Sequence, residues 1–432
     1  GLWLVGHRVI PRCRPICVKW TGQGTVPAPS KTEAMGSFLV KCQDRLDGIE
    51  HLCYTWLVFK TFRYRLYPSR FQEQLLEQTL ETCRRWYNDC LAERMTAWEE
   101  RHESVSVYAQ LRKVKDLKHT NAYASHVHSH VLQTAVQDLD RAFSAFFRRV
   151  KAGEAPGHPR FKGRDRFDSF GFKEYGNGFK LDGRRLRLSN IGRIRVRWHR
   201  PIEGAIKTVR LHRRARRWYA CFSCTVEARP LEPAGRDVGV DVGLHHLVAT
   251  SDGEVFENPE WYRAGQAKLR VLQRSAARRK KGGSNRRKAV MAVRRHHERI
   301  ANRRRDTLKK LAHDLIEGYD RIALEDLRIP KMVKDRYFAL RIMDAGWGYL
   351  KTHLAHKAAE AGRVVMLVDP AHTSDICSRC GDVIEALALA DRWVSCDCGL
   401  SMDRDQNAAC NILNRAGHAH WGQSTAIGLG LP

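Results

Sequence analysis

Asp403-Arg404-Asp405-Gln406-Asn407-Ala408-Ala409 opens a helix directly behind four cysteines, Cys377, Cys380, Cys396 and Cys398. Two acidic residues far upstream make sense only beside it. Asp241 stands in Gly239-Val240-Asp241-Val242-Gly243, and Glu325 in Ile322-Ala323-Leu324-Glu325-Asp326-Leu327. Both stretches read as apolar strands, where a charge is expensive unless it meets a cation. Asp405 lies at a helix start, where a carboxylate also serves as a cap. Each residue alone has an ordinary reading as a turn or a cap. Together they place three carboxylates at strand ends and a helix terminus of one α/β domain. Hard oxygen ligands so placed suit Mg²⁺, and a metal pair there would cleave phosphodiesters by activating water. Asp237, Asp326 and Asp403 are the weaker neighbouring candidates.

The cysteines read as Cys377-x2-Cys380, fifteen residues, then Cys396-x-Cys398. Two close thiolate pairs match a tetrahedral structural zinc site with no open coordination position. The second pair is one residue shorter than the usual spacing, which leaves His372 open as a substitute ligand. Cys221 and Cys224 also show C-x2-C spacing. They sit inside an alternating strand without a second pair and read as ordinary strand residues.

The 432-residue chain carries a formal charge of +29. So large an excess calls for a polyanionic partner, and nucleic acid is the natural one. No run approaches the roughly 18 apolar residues of a membrane helix, and no export signal is expected. Thirteen cysteines, four of them at metal-ligand spacing, point to a reducing, cytoplasmic setting rather than a disulfide framework.

Along the chain, residues 1–58 read as an extension without a fold of its own. Thr61–Leu66 alternates as a strand, and Pro68-Ser69 stops it and caps a helix from Phe71 to Glu100. Helices over Val105–Lys118 and Ser125–Lys151 follow. Short strands then run from Phe170 to Val226 with Gly and Asp-Gly turns, implying a small antiparallel barrel whose edge is the Thr61 strand. From Val238 the order is strand, strand, long helices, strand, helix, strand, cysteine pairs, helix: an α/β pattern. Arg263–Lys310 carries nineteen Lys/Arg against Glu298 and Asp306. Like charges at helical spacing destabilise a helix, so this face is expected to meet phosphates. The contacts would come from Arg278, Arg279, Lys280, Lys281, Arg286, Arg287, Arg303, Arg304 and Arg305.

The ordered set of Gly-Val-Asp241-Val-Gly, Leu-Glu325-Asp-Leu, the cysteine pairs and Asp-Arg-Asp405-Gln-Asn-Ala-Ala resembles the TnpB (OrfB) proteins of bacterial insertion sequences. These in turn resemble type V CRISPR nucleases in their RuvC domain. Lys60-Thr-Phe-Arg-Tyr-Arg-Leu-Tyr-Pro68, Pro159-Arg-Phe-Lys-Gly163, Asp344-Ala-Gly-Trp-Gly348 and Asp369-Pro-Ala-His-Thr-Ser374 add to the likeness, which covers residue 60 onward. The resemblance implies an RNA-guided DNA endonuclease that binds a guide RNA from the transposon end and cuts double-stranded target DNA. Asp241, Glu325 and Asp405 would be its catalytic Mg²⁺ ligands, with zinc on the cysteines. It further implies a multidomain layout. Residues 59–70 and 160–229 would form a wedge β-barrel and 71–159 a helical recognition lobe. Residues 236–370 and 401–417 would form an RNase H-like (RuvC) nuclease domain, 371–400 a zinc ribbon, and 418–432 a tail. Alternatives are a guided DNA-binding repressor without cleavage, which should have lost a carboxylate, and a strand-joining transposase.

Overall fold

The computed structural model describes residues 37–46, 49–164, 166–384 and 391–418. The first half holds strands β1 (Ser37–Leu46) and β2 (Ile49–Tyr67) and helices α1 (Arg70–Arg101), α2 (Val107–Thr120), α3 (Ala122–Ser125) and α4 (Ser129–Lys151). Strands β3 (Ser169–Phe172), β4 (Glu174–Tyr175), β5 (Gly178–Asp182), β6 (Arg185–Leu188), β7 (Gly192–Arg197), β8 (Ala205–Arg214) and β9 (Arg217–Glu227) follow. The second half holds β10 (Asp237–Asp241), β11 (His246–Thr250), β12 (Val255–Glu257), α5 (Trp261–Ala277), α6 (Ser284–Gly318) and β13 (Arg321–Glu325). It continues with α7 (Ile329–Met332), α8 (Ala339–Ala345), α9 (Trp347–Ala361), β14 (Val364–Val368), β15 (Trp393–Ser395), β16 (Ser401–Asp403) and α10 (Arg404–His418).

In the first half, β1–β9 make a nine-stranded sheet in the order β3-β8-β9-β2-β7-β6-β5-β4, with β1 paired to β2. Two expectations are corrected here. The Thr61 strand is not an edge: it lies between β9 and β7, where Phe62, Tyr64 and Leu66 are buried. Residues 37–46 and 49–58, expected to lack a fold, pair as an antiparallel hairpin; residues 1–36 and 419–432 lie outside the described residues. Helix α1 starts where Pro68-Ser69 ends β2. The Ser69 hydroxyl accepts from the Gln72 amide and the Gln72 side chain accepts from the Ser69 amide, a reciprocal cap. Helices α1–α4 share one apolar core with this sheet.

In the second half, five strands run in the order β12-β11-β10-β13-β14. β10, β13 and β14 are parallel, as the intervening helices require. β13 is buried on both faces: Ile322 and Leu324 join the core under α6 and α9, while Ala323 joins Ile412 and Ala416 of α10. The sheet is thus covered on both sides, and its carboxyl edge carries the acidic residues.

Candidate functional site

Asp241 ends β10 and Glu325 ends β13. The two strands are parallel neighbours paired up to Val240 and Leu324, so the carboxylates come next, side by side at one edge. Burial pushes the Asp241 carboxyl well above its ordinary value, and the charges of Glu325 and Asp405 push it further, although the side chain keeps some solvent access. Burial also raises Glu325, opposed by a hydrogen bond from the Thr373 hydroxyl at 2.5 Å.

Asp405 reaches this edge because α10 lies directly on β10. A Cβ on Gly239 would sit 1.9 Å from the Ala409 carbonyl oxygen, so the helix can approach only over glycine. Ala408 and Ala409 are fully buried, which explains the small residues of the quoted motif. Asp403, a weaker neighbouring candidate, accepts hydrogen bonds from the amides of Asp405 (2.8 Å) and Gln406 (3.2 Å) and so caps α10. That role releases Asp405, which instead stands 3.7 Å from Arg392. Asp237 is bound to Arg321, and Asp326 to Lys351 at 2.9 Å.

The sequence reading missed His245 and His246, in the turn after Asp241. Each offers a nitrogen which, with an Asp405 oxygen, forms a group of possible ligand atoms all within 4.8 Å of one another. Their position just past a strand-end aspartate was the available signal.

The Sγ atoms of Cys377, Cys380, Cys396 and Cys398 also lie within 4.8 Å of one another. Two of the separations, Cys377–Cys398 and Cys380–Cys396, are 3.5 Å. A tetrahedral zinc with Zn–S near 2.3 Å needs sulfurs about 3.8 Å apart, so the donor set fits. The shortened second pair still closes the cluster, with Gly399 (φ 83°) turning after it as Gly381 (φ 85°) turns after the first. His372 stands outside, 2.9 Å from Asp375. The first cysteine turn is clamped to α10. Asn407 donates to the Ile376 carbonyl (2.7 Å) and accepts from the Ser378 amide (2.9 Å), and Asn411 donates to the carbonyls of Thr373 and Ile376.

The nine basic candidates divide. Arg304 pairs at 2.5 Å with buried Asp344, which also accepts from the Tyr262 amide, so this arginine joins α5, α6 and α8 rather than standing free. Arg286 donates to the Ala276 and Arg279 carbonyls at the end of α5, and Arg279 to the Asn285 carbonyl. Arg305 is half-buried. Arg278, Lys280, Lys281, Arg287 and Arg303 are exposed. Arg286 and Arg287 line a groove of about 1550 Å³ between α1, the β8–β9 turn and α6, where Arg213, Arg214 and Arg216 face them.

Against known proteins, residues 221–336 match the OrfB_IS605 family ("Probable transposase"), 347–412 the Cas12f1-like TNB domain, and 58–103 the OrfB_IS605 helix-turn-helix domain. In this chain the last of these segments is a strand followed by one long helix. A "Putative RNA-guided DNA endonuclease" of Streptomyces pristinaespiralis is 36% identical over 364 residues, 82% of this chain and 89% of that protein. The "Putative RNA-guided DNA endonuclease InsQ" of Escherichia coli (strain K12) is 32% identical over 385 residues, 83% of this chain and 92% of that protein. The chain of a cryo-EM structure of a Cas12f1-sgRNA-target DNA complex superposes with a TM-score of 0.55 at 13% identity, over 82% of this chain and 98% of that one. The architecture is thus a multidomain α/β nuclease fold. Within that class, the chain belongs to the TnpB (OrfB) family.

Proposed function

We propose that this protein is an RNA-guided, metal-dependent DNA endonuclease of an insertion sequence, with an RNase H-like (RuvC) site formed by Asp241, Glu325 and Asp405. The observation that carries the reading is that Asp241 and Glu325 end adjacent parallel strands and that the charges of Glu325 and Asp405 both bear on the buried Asp241 carboxyl. Bound there, divalent metal would activate water and stabilise the leaving oxygen. The protein's part is placement. Gly239 admits α10, Asp403 fixes its first turn, and Thr373 holds the Glu325 carboxylate.

On this reading the four cysteines hold structural zinc as a ribbon anchored on α10. The nine-stranded sheet is the wedge, and α1–α4 are the recognition lobe. A guide RNA from the transposon end supplies the sequence choice, as base pairing does in related systems, and exposed cations such as Arg287 and Arg303 hold phosphates. The presence of all three carboxylates favours cleavage over guided repression.

Asp241→Ala, Glu325→Ala and Asp405→Ala should each abolish Mg²⁺-dependent cutting of guide-matched DNA while retaining guide and target binding. Robust cleavage by the Asp241→Ala protein would sink the assignment. A wild-type complex that binds matched DNA but never cuts it would favour the repressor instead.

A further inference from the structure

The histidine pair beside Asp405 has no role in the carboxylate reading. His245 is exposed in the turn between β10 and β11, and His246 opens β11. The turn is tight: a Cβ on Gly243 would lie 2.7 Å from the His246 carbonyl oxygen. The two rings meet edge to face, with centroids 4.3 Å apart. Among the described residues, His246 Nδ1 is enclosed without a hydrogen-bond partner, and Glu257 Oε1 stands 3.6 Å from it. An enclosed imidazole nitrogen without a hydrogen-bond partner calls for an explanation, and the two rings offer nitrogen within 4.8 Å of an Asp405 oxygen.

We propose that His245 and His246 contribute imidazole nitrogen to the metal held by Asp405, making the site a mixed carboxylate–imidazole centre that takes Mn²⁺ in preference to Mg²⁺. The inference rests on the carboxylate site proposed above and adds a ligand class to it. Mg²⁺ keeps an oxygen shell and sheds water reluctantly. Imidazole shifts a site toward transition metals, among which Mn²⁺ also accepts carboxylate oxygen. The neighbouring cysteines differ in kind: their four sulfurs close on one another and select a soft, structural ion.

The test is pulsed electron paramagnetic resonance of Mn²⁺ on the full-length protein freed of nucleic acid, where zinc on the cysteines is silent. The wild type should show nitrogen coupling from a directly bound imidazole. His245→Gln, a change at an exposed turn, should diminish that coupling, and the double change with His246→Gln should remove it. The double variant should also weaken Mn²⁺ binding by at least the roughly tenfold loss typical of disturbing even a ligand's own hydrogen-bond partner. Its Mg²⁺ affinity should fall less. Circular dichroism identifies a variant that has failed to fold, and in that event His245→Gln alone decides. Mn²⁺ that binds in an Asp241-dependent manner without nitrogen coupling would overturn the histidine assignment and leave the carboxylate reading intact. Mn²⁺ binding indifferent to Asp241→Ala would overturn both.

Discussion

A carboxylate at position 241 is costly before any metal arrives. It ends a buried strand, with Glu325 on the neighbouring strand and Asp405 above, and its affinity for a proton is raised well beyond that of a free aspartate. The consequence for stability follows from linkage. A carboxyl whose folded pKa is raised binds more protons folded than unfolded. Stability therefore falls as pH rises from about 3.9, the unfolded value, through the raised folded value, and the penalty persists at higher pH. Asp241→Asn removes the ionisation and keeps the shape. Without added divalent metal, at pH above the window, this variant should melt higher than the wild type, on the order of 2 °C for each kcal/mol relieved. Saturating Mg²⁺ or Mn²⁺ should stabilise the wild type and erase the difference. A scanning calorimetry series over pH checks the sign, and a variant less stable than wild type throughout would contradict it. This residue was legible in sequence because a charge inside Gly-Val-Asp-Val-Gly is an anomaly. The sequence preferred Asp405 to Asp403, but the physical reason was not legible, since both suit a helix start. Only the two amide hydrogen bonds to Asp403 separate cap from site. For His245 and His246 the one signal in sequence was their place just past a strand-end aspartate, which many polar turns share.

Helix α10 does several jobs along one face-by-face division. Its first turn presents Asp405, its alanines lie on Gly239, and Asn407 and Asn411 grip the segment that carries Thr373 and Cys377. Thr373 in turn donates to Glu325, so one element bears on two of the three carboxylates. Gly239→Ala adds a single methyl and changes no charge. It should cost about 1–3 kcal/mol or more, because the atom it meets is backbone and cannot swing aside. Cleavage should fall steeply even where the protein remains folded, since Asp405 rides on the displaced helix. Thermal melting together with a cleavage assay checks this, and wild-type cutting by Gly239→Ala would refute the packing argument. Helical extents were readable from period and caps, as at Ser69, because those signals are local. The depth at which α10 sits on β10 was not, because Gly239 and Ala409 are remote in sequence and meet only in the fold.

Across the whole molecule, positive charge is in surplus but not all of it is free. Arg304 is held by buried Asp344, forty residues away in sequence, whereas Arg287 and Arg303 stand in solvent on the same helix. Charge reversal of Arg287 and Arg303 should weaken nucleic-acid binding and reduce the slope of log affinity against log salt by roughly one unit per lost phosphate contact. Arg304→Ala should leave that slope near the wild-type value and lower thermal stability instead, because it strands a buried carboxylate. Titrations at several salt concentrations, paired with melting curves, separate the two outcomes, and equal slopes for all three proteins would mean that this face only meets water. The density of Lys and Arg was plain in the sequence. Which of them fold inward was not, since that depends on partners such as Asp344 and Ala276 brought in by tertiary contacts. The same holds for β2, whose strand partners β7 and β9 arrive more than a hundred residues later and make it central rather than peripheral.

The arrangement of α10 also orders events on the ribosome. Every element of the nine-stranded sheet, the helices beside it, and the strands bearing Asp241 and Glu325 are made before Asp403 to Ala409 emerge. A nascent chain that stops short of Asp403 therefore carries the strands of Asp241 and Glu325 but lacks both Asp405 and the helix that covers Ala323 of β13. On the proposed reading, hydrolytic capacity would be acquired last, once this final helix closes over the sheet.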